Sequence, residues 1–145
     1  RVCVLRIGLV LAPDGGFLQR MRLPFSLGLG GPLGSGRQYM PWVHHSDVEA
    51  LLQWLVERPD CRGVYNGTAP TPVTNREFSS ELGKALGRPA VLPAPAPVLK
   101  LALGEMSRLL LTGQRALPAK AEQEGFVFRY PHLETALAQV LQKQK

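Results

Sequence analysis

The chain has 145 residues, 45% of them apolar and 19% charged, enough for one modest domain and too apolar for a disordered or solvating tail. Its 17 basic residues against 11 acidic ones leave a net charge of +6, but they are scattered and rarely accompanied by aromatic rings, so no nucleic-acid partner is expected. The longest apolar run, 2–12, is broken by Arg6 and is too short to span a bilayer, so no membrane partner is expected either.

The run from Val2 to Leu11 is apolar on both alternating faces, which predicts a strand buried on both sides in a parallel sheet. After the turn Ala12-Pro13-Asp14-Gly15-Gly16, apolar residues at 17, 18, 21 and 25 predict a short helix with one buried face. The stretch 26–36, SLGLGGPLGSG, reads as a shaped loop or short strand pair in which several positions need dihedrals open only to glycine. Tyr39 to His44 is the next expected strand. Ser46 and Glu49 have capping-box spacing ahead of a helix carrying Val48, Leu51, Leu52 and Leu55 on one face and ended by Pro59.

Gly63 to Gly67 predicts another strand. Thr74 and Glu77 repeat the capping box before a helix with Phe78, Leu82, Ala85 and Leu86 as its buried stripe and Gly87 as its stop. Further strands are expected at Ala90 to Leu92 and Phe126 to Phe128, with an extended Pro93, Pro95, Pro97 stretch between them. Helices are expected at about 98–111, about 118–124 with Gly125 closing it, and from Pro131 onward with Leu133, Leu137, Val140 and Leu141 on one side. Helices alternating with short strands define an α/β chain. Cys3 and Cys61 stand apart at no metal-binding spacing, which predicts free thiols and an intracellular, most simply cytoplasmic, setting.

Four blocks, LRIGLVL (5–11), the glycine-rich stretch 15–48, YNGTAPTPVTNREF (65–78) and the tail 109–137, together resemble the C-terminal half of the epimerase-family short-chain dehydrogenase/reductases. The similarity is greatest to the subgroup called nucleoside-diphosphate-sugar epimerase or cell-division-inhibitor-like. The resemblance implies the C-terminal part of an extended Rossmann-type fold: residues 1–90 as the end of the sheet with a substrate-facing loop, and 91–145 as a family-specific C-terminal domain. It implies NADP or NAD as cofactor and a small-molecule substrate. The family's glycine-rich phosphate loop and Tyr-x-x-x-Lys pair are not in this sequence. No Tyr here is followed four residues later by Lys, and the glycines at 28, 30, 31, 34 and 36 precede a strand instead of following one. This chain alone is therefore expected to be inactive, about half of an extended enzyme.

By the same resemblance, Ile7, Gly8, Leu9 and Val10 pass close to the nicotinamide, and Arg6, the strand's one charge, reaches a carboxylate or the ligand crevice. Substrate contacts are expected from Arg37, Gln38, Tyr39, Trp42 and Asn66, as hydrogen-bonding groups, a stacking face and a cation. In sugar-nucleotide epimerases a diphosphate-holding Arg begins the motif that here reads Met40-Pro41-Trp42-Val43-His44, so a nucleotide-sugar substrate is disfavoured. Adjacent His44 and His45 point to opposite faces of a strand, which makes them, with Asp47, structural residues and not an acid–base cluster. Gln114 and Arg115 are a family marker expected to tie the C-terminal helices together. The competing reading is a non-catalytic interaction module, distinguished by whether the chain hides or exposes its apolar strands.

Overall fold

The computed structural model describes residues 1–94, 97, 100, 101 and 104–142. The first expected strand is divided at Gly8 into β1 (Cys3–Ile7) and β2 (Leu9–Leu11). β1 pairs in parallel with β5 (Gly63–Gly67), Cys3 opposite Gly63 and Ile7 opposite Gly67. β2 pairs in parallel with β4 (Trp42–His44).

The change of partner happens within one residue. The Gly8 N–H donates to the Gly67 carbonyl at 3.1 Å and the next N–H, of Leu9, donates to the Pro41 carbonyl at 2.7 Å. Pro41 also splits the second expected strand. Having no N–H to contribute to a ladder, it separates β3 (Tyr39–Met40), antiparallel to β6 (Val73–Thr74), from β4.

Burial on both faces does not hold for β1. Cys3 and Leu5 face a core with Leu51 and Leu55, while Val4 and its register partner Val64 remain 46% and 43% exposed. Helix α2 (His45–Glu57) covers the Cys3 and Leu5 side of β1, and among the described residues no helix covers the other. Arg6 lies on this uncovered face, opposite Asn66, and its side chain makes no hydrogen bond or ion pair among the described residues; it is exposed, not buried.

Helix α1 (Gly16–Ser26) buries Phe17, Leu18, Met21 and Phe25 as the spacing predicts, and accommodates Pro24. α2 has an unexpected cap. In place of Ser46, the imidazole of His44 accepts the Ser46 N–H through Nδ1 at 3.2 Å. α3 (Asn75–Leu86) carries the expected Thr74–Glu77 capping box and ends on Gly87 in the left-handed conformation, φ 65°.

In the glycine-rich loop, Gly28, Gly34 and Gly36 have positive φ, whereas at Gly31 the reason is contact: an added Cβ would lie 2.1 Å from the Leu92 carbonyl oxygen. Residues 90–92 form no strand. The loop instead meets that segment through a bridge between Leu33 and Ala94. The proline-rich stretch and the start of the helix expected at 98–111 fall partly outside the described residues. α4 (Met106–Leu111), α5 (Ala119–Gln123) and α6 (Leu133–Gln142) follow.

Phe126 to Phe128 also form no strand. With Phe126 and Phe128 buried and Val127 exposed, the segment alternates as a strand does but has no ladder, because its rings are inserted edge-on against Trp54 and each other. Both cores draw on both ends of the chain. One joins Leu11, α1, Trp42 and α3 to Leu110 and α6; the other joins Leu51, Leu55 and Tyr65 to Ala121, Phe126 and Phe128.

In the second core the Tyr65 hydroxyl donates to Glu124 Oε2 at 2.7 Å. Burial, then this carboxylate, pushes the phenol above its ordinary value of 10.0. An acid whose folded value is raised contributes stability that is complete below the unfolded value and fades as pH rises past it. Alkaline unfolding is therefore expected to set in above about pH 10, and Tyr65→Phe is expected to flatten that limb in urea melts taken across the range. An unchanged alkaline limb in the variant would refute the assignment.

Candidate functional site

Where β1 gives way to β2, a cleft of about 300 Å³ opens, lined by Ile7, Gly8, Leu9, Pro41, Thr112, Gly113 and Gln114. Its floor exists because the strand changes partners there. Two carbonyls crowd it: a Cβ on Gly8 would stand 1.9 Å from the Pro41 oxygen, and one on Gly113 would stand 1.8 Å from the Tyr39 oxygen. The two glycines let backbone approach backbone where the cleft's two sides meet.

Of the expected cofactor-side residues, the structure brings Ile7, Gly8 and Leu9 to this cleft. Val10 pairs with Val43 in β2 and is not among its lining residues, and Arg6 lies on the open sheet face. Of the expected substrate-side residues, Gln38, Asn66 and Tyr39 also help to build the cleft's other wall. Gln38 Nε2 donates to the carbonyls of Leu33 and Leu110, both at 2.9 Å, which secures the end of α4 just ahead of Thr112.

Asn66 Nδ2 donates to the Leu117 carbonyl at 3.0 Å and Thr68 Oγ1 to that of Ala116 at 3.2 Å, so the end of β5 holds the segment after Gln114. Tyr39 backs Gly113, and the Arg115 guanidinium lies 5.7 Å over its ring. Arg37 is exposed. Trp42 differs from expectation. It is 1% exposed with its indole N–H donated to the Thr71 carbonyl, because β4 runs through the core, and it offers no stacking face.

Pro41, Thr112 and Gly113 escaped the sequence reading. The signal present was the Thr112-Gly113 turn followed by Gln114-Arg115, which spacing alone does not carry to a strand a hundred residues earlier. Gln114 is exposed and its side chain makes no hydrogen bond among the described residues, so it offers the cleft a free amide beside the Thr112 hydroxyl.

The His44, His45 and Asp47 group is structural. His44 is buried, its Nε2 is 2.7 Å from Gln139 Oε1 and its ring stacks on Tyr130 at 4.0 Å. Because Nδ1 accepts from a backbone N–H, the network assigns the proton to Nε2. Asp47 accepts the N–H groups of Arg129 at 2.8 Å and Tyr130 at 3.0 Å. Among the described residues no His, Cys, Asp and Glu group is suited to a metal ion, and no helix is long and apolar enough to cross a membrane.

Parallel strand pairs alternating with helices, with a cleft at the carboxyl end of β1, make this an α/β protein. Comparison with known proteins specifies which. Residues 94–140 match the family model described as a domain of unknown function, DUF1731. The mouse epimerase family protein SDR39U1 is 44% identical over 142 residues, covering 97% of this chain and 48% of that protein.

The crystal structure of human epimerase family protein SDR39U1 (isoform 2) with NADPH superposes with a TM-score of 0.91 at 40% identity, over 97% of this chain and 48% of that one. A nucleoside-diphosphate sugar epimerase from Corynebacterium glutamicum follows at a TM-score of 0.74 and 27% identity, over 97% of this chain and 26% of that one. The chain thus corresponds, in sequence and in fold, to the C-terminal half of the epimerase-family short-chain dehydrogenase/reductases. It spans about half the length of the curated relatives it matches.

Proposed function

We propose that this chain is the substrate-side half of an NADP-dependent oxidoreductase or epimerase, intracellular and cytoplasmic, acting on a small molecule. The observation that carries this reading is the cleft at Ile7, Gly8 and Leu9. What is there suits a nicotinamide ring: a small cleft lined largely by apolar groups and backbone, and one free amide, of Gln114, for a polar edge. When bound, the nicotinamide donates or accepts a hydride. The chain's own part is to exclude water with Leu9 and Pro41, to orient the ring's polar edge through Gln114, and to hold the substrate near Tyr39 and Arg115.

The test is NADPH titration of the protein in its longest native form, followed by nicotinamide fluorescence. Gln114 is exposed and bonds nothing, so Gln114→Trp is expected to keep the melting temperature and weaken NADPH at least tenfold, about 1.4 kcal/mol. Unchanged affinity in that variant overturns the placement.

The exposed Val4 and Val64 support the same reading, since parallel strands are ordinarily covered on both faces and the relatives carry as much chain again. Expressed alone, the 145-residue chain is expected to bind anilinonaphthalene sulfonate, and the longer protein is expected to bind far less of it. A lone chain that melts cooperatively without taking up dye would favour the independent interaction module.

A further inference from the structure

Six basic residues, Arg20, Arg22, Arg37, Lys84, Arg88 and Lys100, lie in the segments 15–46 and 82–104, which contain no Asp or Glu. They account for the whole of the +6 charge, the remainder of the chain holding as many acidic as basic residues. The fold brings the two segments together. The Leu92 N–H donates to the Gly30 carbonyl at 3.2 Å, and the Ala94 N–H donates to that of Pro32 at 3.0 Å.

On the outside of this junction stand apolar side chains. Leu23, Leu27 and Leu29 at the end of α1 are 67%, 65% and 59% exposed, and Val91 and Leu92 beside them are 74% and 48% exposed. Arg20, Leu23 and Leu27 recur at helical spacing, turned away from the buried face of α1. Among the described residues Arg20, Arg22 and Arg88 form no ion pair, while Lys84 is paired with Glu81 at 2.7 Å.

We infer that this surface docks on an anionic lipid membrane, the leucines entering the headgroup boundary and the arginines meeting the lipid anions. Side chains this exposed project outward instead of lining a groove, so they suit a surface that needs no matching contour. Arg20, Arg22 and Arg88, which form no ion pair among the described residues, favour an anionic leaflet. A nucleic acid would want stacking rings, and the aromatic residues of these segments are buried or half-buried. The absence of a spanning segment does not bear on surface association.

Vesicle sedimentation tests this on the protein in its longest native form, comparing phosphatidylcholine alone with phosphatidylcholine containing phosphatidylserine. The anionic vesicles are expected to carry the protein down and the neutral ones to leave it in solution. Arg20→Gln and Arg22→Gln are each expected to weaken binding about fivefold, and Leu23→Asp with Leu27→Asp to abolish it, with circular dichroism melts unchanged. Arg62→Gln, outside the two segments, is expected to have no effect. Failure to sediment with anionic vesicles overturns the inference, and so does binding indifferent to the leucines. Capture of an acidic protein or an oligonucleotide without vesicle binding overturns it equally.

Discussion

Gly8→Ala is expected to destabilise the chain by about 3 kcal/mol or to prevent cooperative folding altogether, read from denaturant melts. The new methyl group would sit 1.9 Å from the Pro41 carbonyl oxygen and 3.0 Å from Thr68 Cγ2. Neither the donor Leu9 N–H, at 2.7 Å from that oxygen, nor the Gly8 N–H on Gly67 can move without breaking the exchange of partners between the two parallel strand pairs. Gly87→Ala supplies the contrast. That site has open space and only a positive φ of 65°, so its cost is expected near 1 kcal/mol. Equal effects at the two positions would mean that backbone contact at Gly8 is not what demands glycine.

Asp47→Ala is expected to cost about 3 kcal/mol, since it leaves two N–H groups without their acceptor and removes a carboxylate from the first turn of α2. The carboxylate is 1% exposed and reaches across more than eighty residues of sequence to Arg129 and Tyr130. It ties the start of α2 to the segment that leads into α6. Asp47→Asn retains one acceptor oxygen and is expected to lose roughly half as much. Urea melts measure the totals, and amide exchange at residues 129 and 130 locates them. Native-like protection of those two amides in Asp47→Ala would contradict the account.

The carboxylate also illustrates why part of the site stayed hidden. Asp47 reads as an ordinary first-turn acid, and nothing nearby in sequence announces its partners. The cleft behaves likewise. Its floor could be inferred from the first strand and the family resemblance, because backbone at the carboxyl end of a parallel strand lies next to ligand in this architecture. Its other wall, Thr112 to Gln114, arrives through Gln38, Asn66 and Thr68, all of which bond main-chain carbonyls of a distant segment. Side chain to backbone bonds leave no pattern in either partner's sequence, so the part these residues play in building that wall is not legible there.

Local chemistry by itself determined the α/β class, the buried faces of α1 and α3, the Thr74–Glu77 cap and the glycine stop at Gly87, since each follows from periodicity or from the conformation of one turn. Tertiary structure alone decided the rest. It divided one apolar run into β1 and β2 at Gly8, left Val4 and Val64 uncovered, kept Phe126 to Phe128 out of the sheet and buried Trp42. Strand partners, burial and bonds to distant carbonyls depend on which segments meet in space, and no residue's own propensity encodes its neighbour across the fold.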